Sequence, residues 1–465
     1  MEFFDLGIII GYLVLTLVAG LYQSRKVKSM KDYAIADRNY STPVMVATIS
    51  ATLIGGGSTV GLVEKVSLFG LSYLILFLGD PISKLMIANF LAGRMERFKG
   101  LISVGDIMEK CYGKESKIIT GLAGSLLSAG LLAAQISALG FLFQYFFNLS
   151  HLWGAFIGFG IVVLYSTFGG IRAVTLTDVI QFSILLIAIP MVCDIGLGMV
   201  GGYEALFHNV PEKLLTIVPE EGKLLHSFSL FIVIIISCLT PPAVQRLLMS
   251  RDKVQIKKSF TISAFLDVPF YSTIGLIGLI AVALKLNGIP SLTMPYLINS
   301  ILPVGFKGLA MVGMLAVIMS TCDSYLNTAS VSVVHDTIRP LIPNLSARSE
   351  LLMMKLTTFI LGFLAIFIAV KYKTIMDIFV GAFNVWGPVV IIPLCVGIFG
   401  CHTYQRSFFW SAGSGFIMSL VWIIMDFEAE FNIDPLIPGM VANGIVFFIT
   451  HQLYKRRRRV LIPSY

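Results

Sequence analysis

Again and again this chain runs apolar for about 20 residues, breaks briefly into a polar loop, and turns apolar again. A bilayer core about 30 Å thick needs roughly 20 apolar residues per helical crossing. Barrel strands would alternate at every second residue, and these runs do not. Only 13% of the 465 residues are charged and 56% are hydrophobic, with a mean hydropathy of +0.87. That charged share is about half of the ~25% usual in soluble domains. The reading is an all-α polytopic membrane protein of about 13 transmembrane helices. The expected segments are 4–22, 42–62, 70–93, 118–147, 152–168, 175–200, 226–249, 258–285, 308–337, 351–371, 374–398, 407–425 and 437–454.

The net charge of +8 does not argue for nucleic acid, because the basic residues lie in short loops between the segments. With thirteen crossings, 26 of the 34 Lys and Arg residues fall on one side, seven on the other, and Lys84 inside a segment. Basic loops mark the cytoplasmic face. The expected topology therefore has the N-terminus outside and the C-terminus, with its run Lys455 to Arg459, in the cytoplasm. The first apolar run lacks a basic start and a small-residue cleavage site, and reads as a mature crossing rather than a signal peptide. The six cysteines (Cys111, Cys193, Cys238, Cys322, Cys395 and Cys401) have no C-x-x-C spacing and suggest packing rather than a disulfide framework. The six histidines form no H-E-x-x-H, and the two matches to a glycosylation sequon, at Asn148 and Asn344, read as chance.

Many secondary transporters consist of inverted repeats, each with an interrupted helix in a corresponding position. Here the second segment is broken by Gly55-Gly56-Gly57 and the seventh by Thr240-Pro241-Pro242, at matching distances from their starts. Five segments run from 42 to 200 and five from 226 to 398, and an odd number per half inverts one half relative to the other. The expected organisation is thus a peripheral first helix and loop (1–41), a first five-helix repeat (42–200), and an external loop (201–225) bearing Glu204, Glu212, Glu220 and Glu221. A second repeat (226–398) follows, then two peripheral helices and a basic tail (399–465). Gly and Pro also occur in membrane helices without function, so the matched positions carry the argument.

An unwound helix frees carbonyls inside the membrane. Ala51 and Ile54, three residues apart before the triple glycine, can point theirs the same way, at a half-helix end whose partial charge is negative. In the ninth segment Ser320 and Thr321 lie one turn from the Val317 carbonyl. Three carbonyls and two hydroxyls make five hard oxygens, suited to a small monovalent ion, and no transition-metal set is seen. Such hydroxyls also serve helix packing, but the neighbouring Asp323 needs a polar reason to lie mid-membrane. Asp178 is a second candidate for the ion path, or a helix-end cap among Thr175 and Thr177. Asp80 has Lys84 four residues on, spacing that permits a pair. Asp80 and Asp267 read either as structural contacts or as the lining of a substrate cavity.

These motifs resemble the sodium/solute symporter family, which shares the LeuT-type inverted-repeat fold, over almost the whole chain. Ser50 to Gly61 looks like its broken first core helix and "FGGIRAVTLTDVIQF" (168–182) like its signature between core helices four and five. "TPPAVQR" (240–246) and "MSTCDSYLNTAS" (319–330) resemble the sequence after the second break and the ion-site helix. The resemblance implies sodium-binding by Ala51, Ile54, Val317, Ser320 and Thr321, with a second ion near Asp178, Ser320, Asp323 and Ser324. The layout is similar to the choline-transporter branch, but Leu53, Leu131 and Thr240 stand where that branch would place an aromatic box, which argues against choline. Asp80 and Asp267, with hydrogen bonds from Ser58 and Gln135, favour an amine-bearing or polyhydroxyl solute.

The expected function is a sodium-coupled secondary active symporter that imports a small organic solute across the cytoplasmic membrane by alternating access. The implied partners are the solute, sodium and the lipid bilayer. No cofactor other than the coupling ion is expected. No Walker-type loop, filter motif or nucleophile–base pair points to an ATPase, a channel or an enzyme. A proton-coupled symporter using Asp323, Asp178 or Asp80 remains open, as does a non-transporting sensor, which would carry a signalling domain after about residue 455.

Overall fold

The computed structural model describes residues 2–36, 38–219, 223–286, 289–342, 344–371, 375–400 and 404–460. Cys401, Glu220 and Glu221 lie outside the described residues, and of Arg456–Arg459 only the backbone is described. The described residues are helical with no strand. Among the described residues, eleven helices are long and apolar enough to cross a membrane. The thirteen expected segments differ from these at two places. One is the broken segment, whose halves α2 (Thr42–Leu53) and α3 (Val60–Phe69) are each too short to count. The other is His151–Val200, a 50-residue stretch in which two helices, matching two expected segments, meet end to end at a kink.

That bend falls at one residue. Gly170 has φ +53°, and a Cβ there would stand 2.7–2.9 Å from the Tyr33 ring, carbonyl and Cα. Gly alone takes this backbone without strain, and helix resumes at once on either side. The expected segments 152–168 and 175–200 therefore lie on either side of a one-residue kink, and the loop expected at 169–174 is reduced to it.

The first break is chemically different. After α1 (Phe3–Ser24), α2 starts with Pro43 in its first turn, where a missing N–H costs nothing. It stops where Ile54 turns extended (φ −84°, ψ 108°) and three glycines follow. Each Gly disfavours helix by roughly 1 kcal/mol relative to Ala. Next along the chain come α4 (Gly79–Met86), α5 (Val104–Tyr112), α6 (Lys114–Phe147) and α7 (His151–Val200). The second break separates α8 (Leu224–Ile236) from α9 (Pro241–Met249), with a tight turn at Ser237–Leu239 and extended Thr240 between them. After α10 (Lys253–Ala283) comes α11 (Phe306–Val331), whose helix continues through a wide turn to Leu341. In that continuous helix 94% of the apolar window is buried, against 28% for α1 and 22% for the last helix, Leu436–Lys455. α11 is therefore the axis around which the others pack, and α1 and the last helix face lipid.

At one end of the bundle, polar contacts tie loop to helix. Lys117 on α6 meets Asp106 on α5 at 2.6 Å, and His335 meets the same carboxylate at 2.9 Å. Burial raises the Asp106 carboxyl, and the His335 and Lys117 contacts more than reverse this, leaving it below the usual carboxylate range. Residues Met30–Ala34 form a short helix at the same junction. Its buried Tyr33 hydroxyl lies 3.0 Å from Thr358 Oγ1.

Gly170→Ala should destabilise the protein by about 1–3 kcal/mol through backbone strain alone, before its clash with Tyr33. Gly160→Ala, where a Cβ meets nothing within 4 Å, is the control. Thermal melting in detergent should show a lowered midpoint for the first and none for the second.

Candidate functional site

The end of α2 and the middle of α11 meet through oxygens. The Ser320 hydroxyl donates to the carbonyls of Ala51 and Val317, each at 2.8 Å. The Thr321 hydroxyl reaches Ile54 O at 3.1 Å, Val317 O at 3.2 Å and Ala51 O at 3.4 Å. The five residues singled out in the sequence are thus gathered at one point, and none is more than 3% exposed. A hydroxyl is donor and acceptor at once. Each can turn its proton aside and offer a lone pair to a cation, which would replace the hydrogen bonds to the freed carbonyls. Five neutral oxygens at the negative end of a half helix fit a small monovalent cation.

Ser58 and Gln135 stand at the same break. The Gly56 N–H donates to Gln135 Oε1 at 2.6 Å and the Gly55 N–H to Ser58 Oγ at 2.9 Å, so the amides freed by the unwound turn are paired. A Cβ on Gly55 would lie 2.9 Å from Thr321 Oγ1. Only a glycine lets the break close onto α11.

Asp178, Asp323 and Ser324 form an adjoining cluster, but with a cation of the protein's own among them. Arg246, from α9 after the second break, is 0% exposed and donates to Ser324 Oγ at 2.7 Å and to Asp178 Oδ2 at 3.3 Å. Thr48 on α2 also hydrogen-bonds Asp178. Asp323 accepts from the Tyr165 hydroxyl at 2.8 Å and from Thr177 at 3.2 Å, and Ser324 lies 3.1 Å from Thr52 Oγ1. Two carboxylates and one guanidinium leave one formal negative charge, and Asp178 Oδ1 is buried with no partner. Arg246 escapes sequence reasoning because it looks like one more basic residue at the inner edge of a segment. Its only signal is its position, four residues after a double proline.

Asp80 and Asp267 do not join this group. They share Lys84, at 3.0 and 2.5 Å, all three groups being at most 5% exposed. The expected Asp80–Lys84 pair is present, and Asp267, 183 residues away in sequence from Lys84, completes it. A cavity of about 480 Å³ opens elsewhere, at the end of the bundle that bears the 201–225 loop. Lys65, Phe69, Tyr73, Lys223 and Asp434 line it, and none of the five residues gathered at the first break does. Burial pushes the Asp434 carboxyl there up to about 7. A His–Asp group not seen in the sequence, Asp106, His335 and Asp336, has donor atoms within 4.8 Å of one another. Lys117, 2.6 Å from Asp106 and 3.4 Å from His335 Nε2, supplies the positive charge beside it.

Residues 33–415 match the model of the sodium:solute symporter family, and the chain belongs to that family. It is 24% identical to the osmoregulated proline transporter OpuE of Bacillus subtilis over 96% of this chain and 94% of that protein. It is 23% identical to sodium/myo-inositol cotransporter 2 of Homo sapiens over 91% of this chain and 70% of the relative. A solved structure of a Na+-coupled sialic acid symporter in a substrate-bound outward-open state superposes with a TM-score of 0.83. It is 17% identical over 97% of this chain and 98% of that one, which establishes the shared LeuT-type fold. The family and the fold are those of transporters, not enzymes.

Removing one partner of a buried ion pair costs about 3–5 kcal/mol, because the other charge is stranded. Arg246→Met should lower the thermal midpoint accordingly, and Asp178→Asn added to it should recover at least half of the loss. An additive loss would mean that the two side chains do not act as a pair.

Proposed function

We propose that this member of the sodium:solute symporter family is a sodium-coupled secondary active symporter that imports a small organic solute through the cytoplasmic membrane by alternating access. The observation that carries the reading is the convergence of the Ser320 and Thr321 hydroxyls on the Ala51, Ile54 and Val317 carbonyls. Sodium bound among these oxygens ties the broken helix to α11. That stabilises one arrangement of the break, where the solute is expected to bind beside Ser58 and Gln135. With the N-terminus outside and the basic loops in the cytoplasm, inward sodium movement gains roughly 2.3 kcal/mol per charge per 100 mV. This drives uphill accumulation without ATP.

A proton-coupled form of the same cycle is the second reading, favoured by the net negative charge of the Asp178–Arg246–Asp323 cluster and the unpartnered Asp178 Oδ1. That cluster suits a second cation, sodium or proton. The tethered guanidinium of Arg246 already takes part of the space that a hydrated ion would need.

The test is uptake into proteoliposomes with sodium and pH gradients imposed separately. L-proline and myo-inositol are the first solutes to try, because relatives carry those names. Uptake should follow the sodium gradient, and uptake that follows only the pH gradient favours the second reading. Thr321→Ala should shift half-activation by sodium upward at least tenfold while expression stays near normal. Unchanged sodium activation would remove Thr321 from the ion site.

A further inference from the structure

The Asp80–Lys84–Asp267 cluster presents a charge problem that the ion site does not share. Lys84 Nζ lies 3.0 Å from Asp80 Oδ2 and 2.5 Å from Asp267 Oδ2. Asp80 is well supplied otherwise, since its Oδ2 accepts from the Tyr271 hydroxyl at 2.8 Å and its Oδ1 from the Cys238 thiol at 3.2 Å. Asp267 is not, because its Oδ1 is buried with no hydrogen-bond partner. With both carboxyls ionised and the lysine charged, the cluster holds one excess negative charge in a space closed to water. An ionised carboxylate with a bare oxygen is the most costly form a buried acid can take. A neutral carboxylic acid with a bare hydroxyl costs far less.

Among the described residues no second cation lies within ion-pair distance of either carboxylate. α4 contributes Asp80 and Lys84 themselves, and α10 contributes Asp267 and Tyr271. The turn in the second break contributes Cys238, a neutral donor. α3, which packs on α10, carries the buried acid Glu64, which has a partner of its own, and α11 carries the buried Tyr325.

We infer that this cluster is a binding site for one proton, carried by Asp267 and exchanged when the second break opens to water. The site is defined by its own groups and does not depend on which ion drives transport. Its position gives the proton a consequence. The Ser83 hydroxyl, on the same helix as Asp80 and Lys84, hydrogen-bonds the Ile235 carbonyl in the last turn of α8, and Cys238 in the turn that follows bonds Asp80. The cluster is therefore fastened to the edge of the second break on two sides. Water that enters when the break moves would solvate Asp267 and release its proton, and closing the break would take a proton up.

Infrared spectroscopy of the full chain in detergent and phosphate buffer, without any amine, reads this directly through the carboxylic-acid carbonyl band. At neutral pH Asp267→Asn should lose the contribution of one acid relative to wild type. Asp80→Asn should lose the same amount, because removing the excess charge leaves Asp267 ionised against Lys84. Lys84→Gln should gain one, since both acids then become neutral. Bands from other buried acids stay constant across the series and cancel in the differences. A band unchanged in Asp267→Asn would overturn the site. A band lost there but kept in Asp80→Asn, or no gain in Lys84→Gln, would overturn the charge count on which it rests.

Discussion

Backbone polar groups left without partners in a hydrocarbon medium decide most of what this protein is. A helix can be broken mid-membrane only where something else satisfies the freed amides and carbonyls. At the first break the amides of Gly55 and Gly56 go to Ser58 and Gln135, and the carbonyls of Ala51 and Ile54 go to two hydroxyls on α11. Those carbonyl bonds are the exchangeable ones. A cation can take the place of a hydroxyl proton without stranding any group, so the contacts that make the break tolerable are the ones on which the proposed cation site rests. Close approach, permitted by glycine, is what brings the two helices within reach.

Buried charge is handled by a related economy. Each of the two acidic clusters contains two carboxylates and a single basic side chain, Arg246 in one and Lys84 in the other. Each basic group comes from the neighbourhood of a helix break or reaches toward one. Counted with every acid ionised, each cluster has one negative charge in excess, and each has one bare carboxyl oxygen, Asp178 Oδ1 or Asp267 Oδ1. A buried acid elsewhere is satisfied more completely. Asp5, for example, uses one oxygen to accept the amides of Gly305 and Gly308 at the start of α11 and leaves no bare atom.

The crossings, the two breaks and the five oxygens were legible in the sequence because an apolar background makes every polar residue conspicuous. Residues close along the chain also share local geometry, as Val317, Ser320 and Thr321 do. What was not legible depends on distant partners. Nothing in the sequence joins Lys84 to Asp267, or says that Arg246 turns inward to Asp178 instead of outward to water. The boundary near Gly170 was legible as a separation of two helices, but not as a one-residue kink, because a single glycine with positive φ redirects the chain without a loop. The metal-like His335 group was missed because its members come from α5 and the end of the α11 helix, and each looks like an ordinary loop charge.

The short helix at 30–34 bears on a question of symmetry. A molecule made of two inverted halves has two equivalent ends, and nothing in the repeat itself favours closing one of them. The chain before the first repeat breaks that equivalence. The Tyr33 carbonyl accepts from Asn327 on α11, the Ala34 carbonyl from Gln245 on α9, and the Tyr33 ring and backbone fill the space left by the missing side chain of Gly170 on α7. Helices from both halves are thus pinned to one short segment at one end only. A segment fastened in this way makes the two ends of an otherwise even-handed scaffold unlike.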